Sequence, residues 1–515
     1  MEQLQSYVSG GWVSGARVMS TLVNPATEEP LAETSTEGID FALALDFART
    51  RGGPALRSLT FRQRAEMLKA MSRAIHQHRD ALIEVAMTNG GNTRGDAKFD
   101  IDGASGTLAY YADLGASLGD ARVLSDGEAV QLGRSPRFFG QHVLVPRPGV
   151  ALHINAFNFP AWGLAEKAAC ALLAGMPIIS KPATSTALLA HRIARLMVEA
   201  NALPEGAFSF VAGAPGNLLS HLNGEDVLAF TGSSDTAAAL KALPNVVQRN
   251  VRVNLEADSL NCAILGPDVE ADSETYQMFV RDVVRDITQK AGQKCTAIRR
   301  VFVPGPILER VQQDLVEKLN EVRIGDPARE DVTMGPLATA TQLRDVLAGI
   351  KRFADDGRIV VGSAPFERLG VVAGKGYFVP PTLFVCDSPQ SARHVHAHEV
   401  FGPVATLMAF AATRDAIAWI RKGGGGLVSS VYSDNRDFAS EMLFGIAPHH
   451  GRLVLGSAKI ADQTPGPGTV LPQSIHGGPG RAGGGEELGG LRGLGLYSQR
   501  VALQGARVML EALLR

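Results

Sequence analysis

The region between residues 150 and 255 constrains the fold most, because short apolar segments alternate there with helical patterns. Strands are predicted at 150–154, 177–180, 207–211, 227–230 and 252–255. Helices are predicted between them at 163–173, 187–199, 215–222 and 234–243. Strand and helix repeated four times indicate an α/β fold with a doubly wound parallel sheet, which binds ligands at the carboxyl ends of its strands.

Further patterns flank this region on both sides. Apolar residues over 41–115 have helical spacing, and residues 137–153 predict a β-hairpin that turns at Pro146. A second alternating region spans 262–454. Its predicted helices are 276–287, 308–319 and 341–353, and its predicted strands are near 359–361, 428–432 and 452–455. Because 515 residues exceed one ordinary domain, we expect two or three, with a boundary close to Glu256.

The segment 477–485 is too rich in glycine to form a helix or a strand. A disordered linker is one interpretation. Because residues 496–508 after it have strand character, we favour an ordered loop that leads into an oligomerising strand.

The charge balance argues against two classes of partner. Lys and Arg number 50 and Asp and Glu 52, for a net charge of −2, and the basic residues are scattered. No basic surface for nucleic acid or an anionic membrane is indicated, and no apolar stretch is long enough to span a bilayer. Four cysteines without CxxC spacing form no disulfide framework, so a reducing, cytoplasmic location is expected.

Cys295 follows a predicted helix and precedes a strand-like segment, so we expect it at a turn where it can meet a substrate. A thiol becomes a good nucleophile in an electropositive setting or beside a base. Lys294, Arg299 and Arg300 supply positive charge nearby. However, a free cysteine is commonly a small buried hydrophobe. The residues around Cys295 alone leave the two interpretations even.

Three polar residues lie where predicted strands end. Asn158 follows the first strand, and its amide can donate to a developing oxyanion. Lys181 follows the second, within reach of a ribose or a 2′-phosphate. Glu256 follows the last, where it can act as a general base through water. Each also has an ordinary interpretation: a turn-forming Asn, a solvated Lys and a surface Glu.

The sheet region contains no complete GxGxxG motif. Instead, Thr231-Gly232-Ser233 ends a predicted strand and opens a helix, whose free N–H groups and positive dipole suit a phosphate. The alternative is an ordinary N-cap, which would be favoured if this were the only clue.

Six motifs in this order resemble the aldehyde dehydrogenase superfamily, over essentially the whole chain. They are Ala156-Phe157-Asn158-Phe159-Pro160, Lys181-Pro182-Ala183, Phe230 to Ser233, Leu255-Glu256, Gly292 to Cys295 and Glu399 to Pro403. Any one motif is weak, but six in order are specific. The resemblance implies three units, which are a Rossmann-like cofactor domain (1–136 and 148–255), an α/β catalytic domain (256–489), and an oligomerisation hairpin and strand (137–147 and 490–515).

Carried over residue by residue, the resemblance implies that Cys295 attacks an aldehyde while Asn158 and the Cys295 N–H hold the oxyanion. Glu256 would activate the water that hydrolyses the thioester, after hydride has passed to a nicotinamide cofactor. The implied cofactor-binding residues are Phe157, Lys181, Thr184, Thr231, Gly232, Ser233, Glu399 and Phe401. The positive side chains beside Cys295 would then face solvent or a subunit interface.

Two departures from the family pattern are informative. The family's Glu-Leu-Gly-Gly-Lys element keeps only its acid, Glu256, and the loss of its two glycines changes the backbone conformations available there. Where many NAD-preferring members have a glutamate, three residues after the lysine, this chain has Thr184. A missing carboxylate removes repulsion toward a 2′-phosphate, so we predict a preference for NADP, with NAD possible.

The tail at 471–490 resembles a branch of the superfamily that oxidises CoA-linked semialdehydes during aerobic degradation of aromatic acids. The resemblance implies a CoA-linked aldehyde as substrate, with His476 and Gly477 shaping the substrate funnel. For His476 we favour a structural role over a catalytic one. We expect a homodimer or a dimer of dimers.

Other interpretations remain open. His394, His396 and His398 would share one face of a strand, as metal ligands do, but they adjoin Glu399, so no metal is predicted. A CoA-acylating enzyme would use a thiol in place of water, and Glu256 favours hydrolysis. A general aldehyde dehydrogenase is a further alternative. A catalytically retired structural homologue is disfavoured, because the three catalytic residues implied above are all present.

Overall fold

The computed structural model describes residues 1–514 and confirms the predicted α/β fold, with two large sheets. The strands of the first sheet are β2 (Ser6–Val8), β3 (Gly11–Val13), β8 (Ala151–Ile154), β9 (Ile178–Lys181), β10 (Phe208–Phe210), β11 (Val227–Thr231) and β12 (Arg252–Glu256). They lie in the order β12-β11-β8-β9-β10-β2-β3, and the first five are parallel. The strand order reverses at β8, which creates a crevice at the carboxyl ends of the strands.

Four helices connect the parallel strands. They are α6 (Trp162–Ala174), α7 (Ala187–Glu199), α8 (Ser234–Lys241) and α9 (Pro244–Gln248). The predicted helix at 215–222 is wrong, because only a 3₁₀ turn, Leu218–His221, forms there. Gly216, just before this turn, has φ +49°, in the left-handed region that an α-helix does not use.

The helical layer predicted over residues 41–115 is present and spans residues 41–118. Its helices are α1 (Phe41–Phe47), α2 (Gly53–Ser58), α3 (Phe61–Gln77), α4 (Arg79–Gly90) and α5 (Arg94–Leu118). A capping box between Thr60 and Gln63 begins α3. The apolar faces of α3 and α5 pack with α6 into one core. A small sheet accompanies the layer, with strands β1 (Glu2–Leu4), β4 (Ser20–Val23) and β5 (Pro30–Thr34).

The second large sheet begins after Glu256. Its strands are β13 (Cys262–Leu265), β14 (Arg300–Pro304), β15 (Arg358–Val361), β16 (Thr382–Cys386), β17 (Val404–Phe410), β18 (Gly426–Tyr432) and β19 (His450–Gly456). The accompanying helices are α10 (Glu274–Thr288), α11 (Leu308–Asn320), α12 (Ala340–Phe353), α13 (His394–Ala397), α14 (Thr413–Arg421) and α15 (Arg436–Ile446). The strand order is β15-β16-β17-β14-β13-β18-β19, and separate apolar clusters pack against the two faces.

The histidines at 394–398 do not lie on a strand, so that interpretation is wrong. His394 and His396 belong to the single helical turn α13, and the His396 ring contacts Arg300 and the carbonyl of Pro389. The turn forms because the carboxylate of Asp356 accepts from three consecutive backbone N–H groups at its start.

A three-stranded antiparallel sheet stands apart from the two large ones. It contains β6 (Leu124–Gln131), β7 (Phe138–Pro146) and β22 (Ser498–Ala506), and α16 (Arg507–Leu513) follows it. The predicted hairpin at 137–153 is therefore wrong: β7 pairs with β6 and β22, and the chain after Pro146 enters β8 of the first sheet. Val150, Ala151 and Leu152 are fully buried, which suits a central parallel strand and not an exposed hairpin.

The glycine-rich segment is an ordered loop, as expected. It joins β20 (Ile475–Gly477) and β21 (Glu486–Leu488), which pair antiparallel. The loop packs directly on the end of β12, where Gly485 donates its N–H to the carbonyl of Leu255 at 3.0 Å. A Cβ at Gly483 or Gly485 would lie 2.4 or 2.3 Å from that carbonyl oxygen, so only glycine permits this approach.

Among the described residues, no helix is long and apolar enough to cross a membrane.

Candidate active site

Cys295 lies between α10 and β14, at the predicted turn. Three consecutive residues before it, Lys290, Ala291 and Gly292, adopt left-handed backbone conformations with φ of 55°, 51° and 67°. At Gly292 an added Cβ would lie 2.2 Å from the carbonyl oxygen of Gly402. This sharp turn presents the half-buried thiol to the crevice between the two sheets.

The positive side chains beside Cys295 do not face solvent, so that prediction is wrong. Lys294, Arg299 and Arg300 are 1–3% exposed. Lys294 pairs with Asp286 at 2.7 Å, and Arg299 pairs with Glu399 at 3.2 Å. Arg300 donates to the backbone carbonyl oxygens of Leu260 and Ile420. Because these charges are engaged elsewhere, they do not create an electropositive setting for the thiol.

The environment of Cys295 disfavours the thiolate. Burial and the negative charge of Glu256 raise the pKa of the Cys295 thiol well above its usual value. The thiol is therefore protonated at neutral pH in this arrangement, and nucleophilic attack requires a contact that favours the anion.

Asn158 follows β8 in the loop that leads to α6. Its side chain is buried, and Nδ2 donates to the carbonyl oxygen of Gln293 at 2.9 Å, two residues before Cys295. The amide is thus held against the turn that carries the thiol. A preorganised donor in a water-poor pocket is suited to stabilise an oxyanion.

Glu256, the last residue of β12, is buried between two partners. Oε1 lies 3.1 Å from Nε2 of His476, and Oε2 accepts from the Thr231 hydroxyl at 3.3 Å. Burial alone would raise the pKa of Glu256, but the charge and hydrogen bond of His476 and the charge of Lys167 outweigh it and lower that pKa to about 2. The carboxylate is therefore ionised near neutral pH.

Sequence reasoning missed a buried ion cluster next to Glu256. Nζ of Lys167 lies 3.2 Å from Glu166, 3.1 Å from Glu487 and 2.9 Å from the Thr231 hydroxyl. Burial would lower the pKa of Lys167, but the two carboxylates raise it. Burial raises the pKa of Glu487 to about 7 despite the lysine. The available signal was the pair of charged residues inside the otherwise apolar helix α6.

A small cavity of about 40 Å³ opens on one side of the thiol. Besides Cys295, Asn158, Glu256 and His476, its lining includes the polar residues Glu166, Lys167, Thr231 and Thr296 and the apolar residues Phe99, Phe159, Trp162 and Val470. Gly477 does not line this cavity and packs instead against the backbone of Gly485. The apolar part of this lining suits an aliphatic chain that ends at the thiol.

A larger groove of about 430 Å³ reaches the thiol from the other side. Its lining includes seven of the eight predicted cofactor residues, with Thr184 missing: Phe157, Lys181, Thr231, Gly232, Ser233, Glu399 and Phe401. The groove and the cavity share five residues: Ala156, Asn158, Thr231, Glu256 and Cys295. A long ligand in the groove would therefore reach the thiol from the face opposite the cavity.

The polar groups of the groove fit a nicotinamide dinucleotide. Lys181 is 7% exposed, donates within the protein to the adjacent Pro182 carbonyl, and has its pKa lowered to about 8 by burial. A buried ammonium group of this kind suits a ribose or phosphate oxygen. Ser233 caps α8 and accepts from the N–H of Thr236. Unexpectedly, the carboxylate of Asp258 accepts from the N–H and hydroxyl of Ser234, which partly neutralises the positive end of this helix.

Glu399 and Phe401 lie where the groove meets the thiol. Glu399 accepts from the N–H of Ser259 at 2.8 Å and pairs with Arg299 at 3.2 Å. Burial raises the pKa of Glu399 to about 7, although Arg299 opposes the shift. The Phe401 ring stands edge-on to Phe157, with centroids 5.8 Å apart.

A thiol beside an amide donor and a carboxylate, at the end of a dinucleotide-sized groove in an α/β fold, defines an oxidoreductase that works through a cysteine. The chain belongs to the aldehyde dehydrogenase family, which matches residues 12–497, and it oxidises aldehydes to acids with NAD⁺ or NADP⁺ as hydride acceptor.

Relatives of known activity span nearly the whole chain. A 3,4-dehydroadipyl-CoA semialdehyde dehydrogenase of Aromatoleum evansii is 46% identical over 478 residues, 93% of each chain. An NADP⁺-dependent succinate-semialdehyde dehydrogenase of Escherichia coli is 27% identical over 89% of this chain and 91% of that protein. The crystal structure of a Staphylococcus aureus betaine aldehyde dehydrogenase with NAD⁺ superposes with a TM-score of 0.84 at 25% identity, covering 98% of this chain and 95% of that one.

Proposed function

We propose that this enzyme oxidises a CoA-linked semialdehyde to the corresponding acid, with Cys295 as nucleophile, Asn158 as oxyanion donor and Glu256 as general base. The observation that carries the proposal is that these three side chains meet where the small cavity joins the dinucleotide groove. The 46% identity with a 3,4-dehydroadipyl-CoA semialdehyde dehydrogenase supports the substrate class, and so does the resemblance of residues 471–490.

In the first half-reaction, the thiolate of Cys295 attacks the aldehyde carbon and forms a thiohemiacetal. The new oxyanion accepts hydrogen bonds from Nδ2 of Asn158 and from the backbone N–H of Cys295. A bound NAD(P)⁺ supplies the hydride acceptor. Loss of hydride converts the thiohemiacetal into a thioester on Cys295.

In the second half-reaction, Glu256 takes a proton from water as the water attacks the thioester carbon. The C–S bond then breaks, the acid leaves, and the proton on Glu256 passes to the thiolate of Cys295, which restores both groups. The lowered pKa of Glu256 keeps the base ionised, and its low exposure keeps bulk water away from the thioester.

We infer a preference for NADP⁺ from the residues beside Lys181. Thr184 carries no charge, so a 2′-phosphate close to it meets no carboxylate, whereas the buried ammonium group of Lys181 attracts it. The predicted contacts to the rest of the cofactor are Ser233 for the pyrophosphate, and Glu399 and Phe401 for the nicotinamide ribose and ring.

We also propose that the chain forms a homodimer or a dimer of dimers through the sheet of β6, β7 and β22. Several large apolar side chains on this sheet and on α16 are exposed, including Val130 (61%), Phe138 (43%) and Val508 (78%). Apolar groups at this exposure suit contact with a second copy. The division into a cofactor domain (1–136 and 148–255), a catalytic domain (256–489) and oligomerisation segments (137–147 and 490–515) belongs to the same proposal.

A panel of free and CoA-linked semialdehydes, assayed with both cofactors, tests the substrate class. We expect kcat/KM to be highest for a CoA-linked semialdehyde of adipyl length with NADP⁺. Product analysis with and without free CoA separates hydrolysis from CoA acylation, because only the latter yields a second thioester. Equal efficiency for short free aldehydes would instead assign a general aldehyde dehydrogenase.

Cys295→Ala tests the nucleophile. The variant should lose oxidation of every aldehyde in the panel and retain cofactor binding, measured by quenching of intrinsic fluorescence. Cys262→Ala is the matched control, since this cysteine is also free but lies buried in β13. Oxidation that survives in Cys295→Ala would refute the proposed mechanism.

A further inference from the structure

The imidazole of His476 contacts both reacting groups of the proposed site. Its Nε2 lies 3.1 Å from Oε1 of Glu256 and 3.8 Å from Sγ of Cys295. The ring is 3% exposed, and β20 holds it in place by pairing with β21. One ring nitrogen therefore lies between the carboxylate and the thiol.

The hydrogen-bond network assigns the ring proton to Nε2. Glu256 is ionised, and an ionised carboxylate only accepts, so the nitrogen that faces it must donate. The other nitrogen, Nδ1, has no protein partner among the described residues. In this tautomer His476 cannot take the thiol proton at Nε2, but it can donate to the sulfur once that proton has left.

We propose that His476 is a further catalytic residue, whose Nε2–H stabilises the thiolate of Cys295 beside the carboxylate of Glu256. The inference rests on the proposed function, in which Cys295 is the nucleophile. Two anions in one buried pocket repel each other strongly. An N–H group within reach of both Sγ of Cys295 and Oε1 of Glu256 allows the thiolate to form while the carboxylate stays ionised and in place.

The step is simple in its chemistry. The S–H bond of Cys295 breaks, the electron pair stays on sulfur, and the proton is released through water to the bulk solvent. Nε2–H of His476 then shares its hydrogen bond between Sγ and Oε1 of Glu256. After the thioester has formed, sulfur no longer carries a charge, and the N–H returns fully to the carboxylate that must activate water.

Other charged groups also face the imidazole. Glu166 on α6 adds a negative charge, and Arg452 on β19 adds a positive one. Burial lowers the pKa of His476, whereas Glu256 raises it through its charge and hydrogen bond, and the net direction is upward. A protonated ring would donate from the same Nε2, so the contact with sulfur persists in both states.

The test measures the thiolate directly, by the rate of Cys295 alkylation with iodoacetamide as a function of pH, without substrate or cofactor. It is done in the Glu256→Gln background, so that loss of the imidazole does not act through the carboxylate. In that background, His476→Leu should slow alkylation at pH 7 by about tenfold to a hundredfold, the usual value of a hydrogen bond to a charged group. The pH profile should move upward by about one to two units.

Two control variants distinguish stabilisation of the thiolate by His476 from a packing effect of its ring. His476→Gln retains a donor near the position of Nε2, and should alkylate within about threefold of its background. His191→Leu removes another buried imidazole, which has no hydrogen-bond partner among the described residues and lies against β10 of the first sheet, and should leave the profile unchanged. Peptide mapping assigns the label to Cys295, and thermal melting verifies that each variant is folded.

Each outcome is decisive. A shifted profile in His476→Leu with a restored one in His476→Gln supports the role. Equal profiles in His476→Leu and its background overturn it, even if turnover falls. If Cys295→Ala still oxidises aldehydes, the proposed function itself fails. If Cys295→Ala is inactive and the His476 profiles are equal, only this inference fails.

Discussion

Replacing Glu256 by glutamine should separate the two halves of the reaction. The glutamine has the same shape, so its Oε1 can still accept from Nε2 of His476, and its amide can donate to the Thr231 hydroxyl. Lys167 retains Glu166 and Glu487 as partners. The change therefore removes a charge and a base, keeps the hydrogen bond from His476, and reverses the direction of the hydrogen bond with Thr231.

The size of the effect follows from what each half-reaction needs. General-base catalysis contributes about 10²–10⁴-fold, or about 3–5 kcal/mol of activation free energy, so hydrolysis of the thioester should slow by that factor. Formation of the thioester should not slow, because the negative charge of Glu256 raises the pKa of the Cys295 thiol and its removal favours the thiolate.

Stopped-flow fluorescence of the reduced cofactor is the assay. Glu256→Gln should give a burst of about one equivalent per active site, followed by a steady state about 10²–10⁴-fold slower than that of the native enzyme. Hydroxylamine attacks a thioester without needing a general base, so adding it should restore turnover. A melting temperature within a few degrees of the native value verifies the fold.

Two results would refute this reasoning. If the burst is absent, Glu256 acts before hydride transfer, and its carboxylate is needed to activate the thiol. If steady-state turnover is unchanged, another group activates the water, and the buried Glu487 would be the next candidate.

Three further predictions concern the cofactor groove. Thr184→Glu should lower the ratio of kcat/KM for NADP⁺ to kcat/KM for NAD⁺ by about tenfold or more, because a carboxylate would repel the 2′-phosphate. Steady-state kinetics with both cofactors measure this ratio, and an unchanged ratio contradicts the proposed preference. Asp258→Asn keeps an acceptor for Ser234 but removes the negative charge at the start of α8. The KM for the cofactor should therefore fall by about two- to fivefold, because the positive end of the helix is no longer partly neutralised. A higher KM would mean that the carboxylate assists cofactor binding. The pKa of Glu399 is raised from 4.5 to about 7, so between these pH values the carboxyl holds a proton in the folded protein and releases it on unfolding. The free energy of unfolding of the native enzyme, compared with that of Glu399→Gln, should therefore fall by at most about 3 kcal/mol as pH rises from 4.5 to 7. Urea denaturation at both pH values measures this, and a rise would contradict it.

Much of the architecture was predictable, because central parallel strands are short, apolar and bounded by turns. The strands that lead to Asn158, Lys181 and Glu256 lie within a residue or two of their predicted positions. The predicted hairpin at 137–153 failed because the partners of β7 include β22, which lies more than three hundred residues away in the chain. Local patterns carry no information about such pairing.

The candidate site was predictable only in part. Residues at strand ends were found, since the fold gathers strand ends at one edge. The contact of His476 with Glu256 was not, because it joins residues 220 positions apart and His476 lies on the three-residue strand β20. Burial of Lys294 and Arg299 was also missed. Glu399 lies 100 positions from Arg299, and Asp286 lies on α10, eight positions before Lys294, so neither pairing follows from the adjacent residues.

The loop at 477–485 has a consequence for the timing of synthesis. Domains generally fold as units, from the N-terminal end, while the ribosome is still adding residues. Cys295 and Glu256 are thus translated long before β20 and β21, the two strands that flank this loop and carry His476 and Glu487. Until these two strands have been translated, a nascent chain would therefore lack the side of the pocket that His476 forms.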